Sequence, residues 1–355
     1  TADGAKARSY LRDRRLPMSV QQQFGLGYAP ASRNALKEFL GGKGIEKEKI
    51  EACGLVVFGP DIPLSYDRFR DRIMFPITDA RERVIAFGGR ALSPDVPAKY
   101  LNSPETELFS KSFVLYNYAQ ARKAVERGGS LIIAEGYMDV IALSAAGFGN
   151  AVAPLGTALT EAQLELAWRV GGEPVLCFDG DEAGLRAAYR SIDTAFAGLK
   201  PGKSLRFALL PEGEDPDDLI GRAGPEAFSE VLQSARPMAD MLWTRETGSG
   251  TYDTPERRAE LERQIQAIVK QIADDSVRRH YEQDMRDRLS SFFGASEQPQ
   301  KKAFGGYGKD QQHRNGPSRG QGSQKRFAVS DSLMNSALVR RRANLPPLRE
   351  AALIV

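Results

Sequence analysis

The sequence is poor in cysteine and histidine, and it has no long apolar run. Cys53 and Cys177 are the only cysteines, and His280 and His313 the only histidines. Two cysteines far apart in the chain exclude a disulfide framework, and the four residues lack the spacing of a zinc ribbon. We therefore expect no zinc in this chain. Cys177 lies inside an apolar run and reads as a small core residue, which fits a reducing, cytoplasmic setting. No stretch of about 18 apolar residues occurs, so no membrane-spanning helix is expected, and no signal peptide is visible. An initiating methionine is lacking as well. Thr1 opens the sequence inside a helical pattern, from which we expect a fragment of a longer chain.

What is present suffices for a real core: 355 residues, 41% of them hydrophobic. By length the chain should divide into about two or three domains. The net charge of +3 conceals an asymmetry. Residues 1–127 hold 21 Lys and Arg against 15 Asp and Glu, whereas residues 128–293 hold 17 against 27. Residues 294–355 turn basic again, with 11 against 4. A basic block beside an acidic one suits an enzyme that grips a polyanion with one and holds metal cations with the other. The plainer reading is an ordinary charged surface.

Residues 3–16 predict a helix, followed by a mixed region with strand-like runs at 54–58, 73–77 and 84–87. Residues 119–127 predict a helix ending at Gly128-Gly129. From there short apolar strands (131–134, 151–153, 175–178, 205–210) alternate with helices (138–146, 161–170, 183–197, and one starting at 217). Continuous apolar strands separated by helices imply a parallel sheet covered on both faces. Residues 225–293 read as all-helical, with Pro255 at a helix start and Leu261, Ile265, Ile268 and Ile272 at helical spacing. Beyond residue 293 the composition becomes Gly, Gln, Ser, Lys and Arg, a linker too poor in apolar residues to fold. The closing stretch from Pro346 resembles the first helix of a further domain, cut short.

Three carboxylate groupings follow expected strands. The first is Glu135, with Gly136 turning the chain and Asp139 four residues on. The second is Asp179-Gly180-Asp181, and the third Glu214-Asp215-Pro216-Asp217. In a parallel sheet all three lie at the carboxyl edge, where such folds bind ligands. Each alone is more simply a polar turn or helix cap. Together they would repel one another unless divalent cations sat among them, and oxygen-rich sites favour Mg2+ or Mn2+.

Glu135-Gly136, Asp179-Gly180-Asp181-Glu182-Ala183-Gly184 and the third cluster resemble the Toprim domain of bacterial primases, topoisomerases and some nucleases. The upstream blocks Arg68-Phe69-Arg70-Asp71-Arg72, Phe87-Gly88-Gly89-Arg90, Lys99-Tyr100-Leu101-Asn102 and Phe109-Ser110-Lys111 resemble the signature of bacterial DNA primases of the DnaG type, over about residues 1–293. The resemblance implies an α/β Toprim sheet flanked by helices (128–222), preceded by a basic α+β subdomain (1–127) and followed by a small helical one (223–293). A basic linker (294–335) and the truncated start of a helicase-binding domain (336–355) would follow. It implies Glu135, Asp179 and Asp181 as catalytic residues. Glu135, Asp139, Asp179, Asp181, Asp215 and Asp217 would form the metal site. Arg14, Arg68, Arg70, Lys99 and Lys111 would be nucleic-acid and nucleotide contacts. The family pattern has Gly where this sequence has Arg15.

The implied reaction is metal-dependent synthesis of short RNA primers from nucleoside triphosphates on single-stranded DNA. A monomer in the cytoplasmic replisome is expected, with weak helicase binding because the helicase-docking domain is largely absent. The family's zinc-binding domain, which precedes the polymerase core, has no ligands here. The residues by themselves agree, since guanidinium groups bind phosphates bidentately and lysines add point charge. Phe69, Phe75, Phe87 and Tyr100 alternate with these cations, as base stacking requires, although Phe75 and Phe87 read better as core. Gly88-Gly89 fits either a close approach to a phosphate or a hairpin turn. Residues 197–204 mimic a phosphate loop but follow a helix and open a strand, the wrong context. Two rivals stay open: a Toprim nuclease or topoisomerase, for which no separate domain with a nucleophilic tyrosine is seen, and a non-catalytic DNA-binding Toprim module.

Overall fold

A computed structural model describes residues 4–294, apart from Thr157 and Ser249. The expected linker and truncated domain, with His313, lie outside the described residues.

The amino-terminal part begins with α1 (Ala5–Asp13), α2 (Met18–Gln23) and β1 (Gly27–Ala29). Two short helices, α3 (Ala35–Gly42) and α4 (Lys47–Ala52), lead to the paired strands β2 (Val56–Val57) and β3 (Tyr66–Asp67). Three longer pieces of sheet follow: β4 (Arg72–Thr78), β5 (Val84–Ala91) and β6 (Tyr100–Asn102). They form an antiparallel sheet in the order β1-β4-β5-β6. Along β4 the period of two is plain. Ile73, Phe75 and Ile77 are fully buried, while Met74, Pro76 and Thr78 stay half-exposed.

Gly88 and Gly89 lie inside β5 and form neither a turn nor an open phosphate seat. A Cβ on Gly88 would sit 2.7 Å from the Tyr137 ring, and one on Gly89 would sit 2.8 Å from Phe69. The glycines are there because aromatic rings fill the space. Phe69 itself is buried, which corrects the expectation that it stacks on bases; Phe75 is core as expected.

After α5 (Tyr118–Val125) the chain enters strands and helices in strict alternation: β7 (Ile132–Ile133), α6 (Tyr137–Ala145), β8 (Ala151–Val152), α7 (Glu161–Val170), β9 (Val175–Phe178), α8 (Glu182–Phe196), β10 (Arg206–Leu209) and α9 (Pro216–Gln233). The sheet order is β11-β10-β9-β7-β8. Its first four strands in sequence are parallel, as the apolar runs implied. The last, β11 (Arg236–Pro237), is antiparallel to β10 and corrects the all-helical reading of 225–293. It covers an edge of β10 whose backbone groups would otherwise lack partners.

Both faces of this sheet are buried, and neighbouring residues of one strand enter different cores. Ile133, Leu176 and Phe207 face the core shared with α7, α8 and the carboxyl-terminal helices α10 (Met238–Thr247), α11 (Pro255–Val269) and α12 (Asp275–Gly294). Ile132, Cys177 and Ala208 face the core that includes α1, α6 and the inner side of β4. The helix start at Pro255 is as expected, with the Thr254 side chain accepting from the Arg257 N–H. Residues 197–204 form a turn whose Gly198 backs onto the Trp168 ring, not a phosphate loop.

Phe75 of β4 stacks on Tyr137 of α6 with ring centroids 5.1 Å apart, and Tyr116 meets Tyr137 edge-on at 4.7 Å. This aromatic seam joins the antiparallel sheet to the parallel one. The described residues belong to one compact unit.

Candidate functional site

Each carboxylate grouping sits where a parallel strand ends and a helix begins. Glu135 lies two residues past β7, exposed at the sheet edge, and its carboxylate accepts from the Asp179 N–H at 3.1 Å. Asp139, in the first turn of α6, reaches back to accept from the Gly136 N–H at 2.8 Å. Asp181 caps α8 by accepting from the Gly184 N–H, and Asp215 caps α9 by accepting from the Asp218 N–H, both at 2.7 Å. Capping and clustering are one arrangement here, since the positive end of each helix favours an acid at the sheet edge.

Two backbone hydrogen bonds clamp the β9–α8 turn to the β10–α9 loop. Gly180 N–H donates to Glu214 at 3.1 Å, and Gly213 N–H donates to Gly180 at 2.9 Å. A Cβ on Gly180 would stand 1.8 Å from the Pro211 carbonyl, so only glycine permits the approach. Asp179 and Asp215 are thereby held close enough for their charges to interact.

The electrostatics show the crowding. Burial first, and then the charges of Glu135, Asp215 and Asp181, push the Asp179 carboxyl up to about 7. Asp139 is raised well above the carboxylate range by burial, then by Asp179 and Asp215. Glu135 is raised by partial withdrawal from water, and Asp181 adds to that. One oxygen of Asp179, Oδ1, is buried without any hydrogen-bond partner. Among the described residues, no three His, Cys, Asp or Glu side chains form a ready-made metal-holding group. Asp139, Asp181 and Asp215 each point one oxygen at a backbone N–H. The donor set is still the kind a hard divalent cation takes: all oxygen, mutually repelling, with one buried oxygen lacking a partner.

Asp217 stands apart from the other five. Its carboxylate forms an ion pair of 2.7 Å with Arg14, just past the end of α1. Burial is the largest single influence and would lower the Arg14 pKa, but the hydrogen bond to Asp217 together with the charges of Tyr10, Asp217 and Asp215 outweighs it, and the pKa is raised. Arg15, beside it, has φ 56°. That left-handed conformation favours glycine, the residue that the resemblance leads one to expect here. The Arg15 guanidinium contacts the Gly221 carbonyl of α9.

The other basic residues divide by exposure. Arg68 is half-buried and donates through Nε and Nη2 to the Asn102 carbonyl, at 3.1 and 3.0 Å. Arg70 is exposed, donates to the Asp67 carbonyl at 2.8 Å and lies over the Tyr66 ring at 4.9 Å. Lys99 is exposed, and Lys111 is half-buried. Arg72, from the same block, is buried and bound to the carbonyls of Gly89, Lys99 and Ala98, so it holds β4, β5 and the loop before β6 together.

Sequence reasoning missed Asn102 as a hub. Its amide accepts from the Tyr137 hydroxyl at 2.6 Å and donates to the Leu155 carbonyl at 2.8 Å. No sequence pattern announces a contact between a β-strand edge and a helix 35 residues later. It also missed Arg190 on α8, two turns past Asp181, whose charge acts on Glu135. Helical spacing from the Asp181 cap was the signal available for it.

Comparison with known proteins converges on this arrangement. Residues 1–122 match the family described as DNA primase catalytic core, N-terminal domain, and residues 129–207 match the Toprim domain. A solved Escherichia coli primase catalytic core is 38% identical, with a TM-score of 0.75, covering 81% of this chain and 92% of that one. This chain belongs to the bacterial DNA primases. A DnaG primase catalytic domain solved bound to single-stranded DNA is 37% identical, with a TM-score of 0.75, over 83% of this chain and 90% of that one. The Pseudomonas aeruginosa DNA primase is 41% identical over 289 residues, 81% of this chain and 43% of its own length. For the Escherichia coli K12 primase the values are 40% over 284 residues, 80% and 48%. The chain thus spans a little under half the length of these curated primases. Residues 239–291 match the DnaB-helicase binding domain of primase. That likeness falls on α10–α12, within the described residues, whereas sequence analysis looked for helicase docking beyond residue 336.

Proposed function

We propose that this chain polymerises ribonucleoside triphosphates into short RNA primers on a single-stranded DNA template. The observation that carries the reading is that carboxylates from three strand ends lie close enough for Glu135, Asp181 and Asp215 to act on Asp179, whose buried Oδ1 has no hydrogen-bond partner. The single-stranded DNA bound by the similar primase domain supports it.

Glu135, Asp139, Asp179, Asp181, Asp215 and Asp217 are the residues that would hold Mg2+ or Mn2+, with Asp217 leaving Arg14 to do so. A divalent cation at such a site neutralises charge developing on phosphate oxygens. The chain's own residues do the positioning. In the reaction the primer 3′-hydroxyl oxygen bonds to the α-phosphorus, the bond from that phosphorus to the bridging oxygen breaks, pyrophosphate leaves and the hydroxyl proton passes to solvent. Glu135, Asp179 and Asp181 would serve as the catalytic carboxylates of this step. Arg14, Arg68, Arg70, Lys99 and Lys111 contact template and triphosphates, with Tyr100 exposed beside Lys99 as a stacking surface.

The match over α10–α12 supports the replicative helicase as a partner through those helices. No described helix is long and apolar enough to cross a membrane. We take the protein to act as a monomer in the cytoplasmic replisome, with no zinc among its own ligands.

RNA synthesis on single-stranded DNA, with Mg2+, with Mn2+ and with chelator, is the direct test. Labelled primers that require both metal and template are expected. Nicking of supercoiled DNA without incorporation would move the protein to the nucleases, and DNA binding without either activity would make it a binding module.

A further inference from the structure

The acidic edge is flanked by few cations that remain available. Arg14 is paired with Asp217, Arg68 is bound to Asn102, and Arg72 is buried among three carbonyls. On α8, Arg186 reaches Glu182 at 3.1 Å. Arg190, one turn further on, differs from all of these. It is exposed, and among the described residues its guanidinium has no hydrogen-bond or ion-pair partner.

Arg190 borders a cavity of about 280 Å3 that it shares with Glu135. Pro154 and Gly156 of the loop after β8 and Leu176 and Phe178 of β9 also line it. Binding sites for whole small molecules run from about 300 Å3 upward, so this space suits a phosphate or two better than an entire nucleotide. An anion seated there would meet the Arg190 guanidinium fork and lie beside the Glu135 carboxylate. Arginine binds phosphate oxygens bidentately, and an arginine not paired with an acid loses no existing partner when it does so.

We propose that Arg190 contacts the β- and γ-phosphates of the incoming nucleoside triphosphate, the part released as pyrophosphate. The inference rests on the polymerase reading and adds a residue to it. When the bond from the α-phosphorus to the bridging oxygen breaks, its electron pair stays on the pyrophosphate. A guanidinium beside Glu135 stabilises the leaving group as that charge grows. It also offsets the repulsion between the triphosphate and Glu135.

The test compares Arg190→Ala and Arg190→Lys with Arg186→Ala as the neighbouring control. Extension of a pre-annealed primer with Mn2+ gives KM for the nucleotide and the inhibition constant for pyrophosphate. Titration of pyrophosphate into each protein with Mg2+ gives binding without turnover. Arg190→Ala should raise both constants and the pyrophosphate Kd about tenfold, equivalent to about 1.4 kcal/mol. Arg190→Lys should recover part of the loss. Affinity for a nucleoside monophosphate, which lacks the β- and γ-phosphates, should not change, nor should single-stranded DNA affinity or Tm. Equal effects on mono- and triphosphate, or a pyrophosphate Kd that moves no more than in Arg186→Ala, would overturn the proposal. A chain that binds pyrophosphate through Arg190 but incorporates nothing would keep the phosphate site and remove the polymerase reading instead.

Discussion

Arg14 and Asp217, 203 positions apart, form an ion pair of 2.7 Å that fastens the end of α1 to the first turn of α9. The pair joins a residue of the basic half to one of the acidic edge, and it lies partly out of water. Arg14→Ala and Asp217→Asn, singly and together, would measure it as a double-mutant cycle. A coupling of about 1 kcal/mol is expected in chelator, toward the upper end for pairs that keep some exposure. With saturating Mg2+ the coupling should shrink, because Asp217 is then drawn to the metal. A coupling that Mg2+ leaves unchanged would exclude Asp217 from the metal site.

Glu135→Gln and Asp179→Asn should abolish primer synthesis while keeping the fold. Their raised pKa values give a second, independent signature. Folding raises these values, so the stability they contribute is complete below the unfolded carboxyl pKa, about 4. It is lost as the pH rises through the folded value, about 7 for Asp179. In chelator, therefore, Tm should fall as the pH is raised from about 4 to 7, over and above the trend set by other groups. Asp179→Asn should flatten that dependence and raise Tm at neutral pH. Thermal scans across pH, with and without Mg2+, check both points, and near-wild-type synthesis in both variants would remove the site.

Arg68 and Lys99 belong to one basic block but should behave differently. Arg68 is half-buried with two hydrogen bonds to the Asn102 carbonyl, and Lys99 is exposed. Lys99→Ala should reduce the log–log salt slope of single-stranded DNA binding by about one unit and leave Tm alone. Arg68→Ala should also lower stability by about 1–3 kcal/mol, because it leaves a partly buried carbonyl unpaired. Salt-dependent binding and denaturant unfolding of the two variants separate the cases.

Arg15 occupies a left-handed backbone position, φ 56°. Arg15→Gly relieves that conformation but loses the contact with Gly221, so little net change in Tm is expected. Arg15→Val places a β-branched residue there and should cost about 1–2 kcal/mol. Chemical denaturation of the two variants would show whether the conformation, rather than the side chain, is what this turn requires.

The sequence by itself determined the parts that depend on short-range pattern. Apolar runs of strand length separated by helical periods implied the parallel sheet, and β9 with its four buried residues is the clearest case. Carboxylates placed directly after such strands are carried to one edge by topology alone, so Glu135, Asp179 and Asp215 were legible as a group. Tertiary structure decided what depends on which distant residue arrives. Gly88 and Gly89 carry the same local signal as a turn, and only the rings of Tyr137 and Phe69 make them strand residues. Phe69 alternates with arginines like a stacking residue, yet the packing of β4 and β5 buries it. Six acids in three clusters look alike in one dimension. In three, Asp217 meets Arg14, while Asp179 is left with an oxygen that nothing in the chain satisfies. Period and polarity are properties of neighbours along the chain, whereas a hydrogen-bond partner or a ring against a glycine is fixed only when segments a hundred residues apart share the same few ångströms.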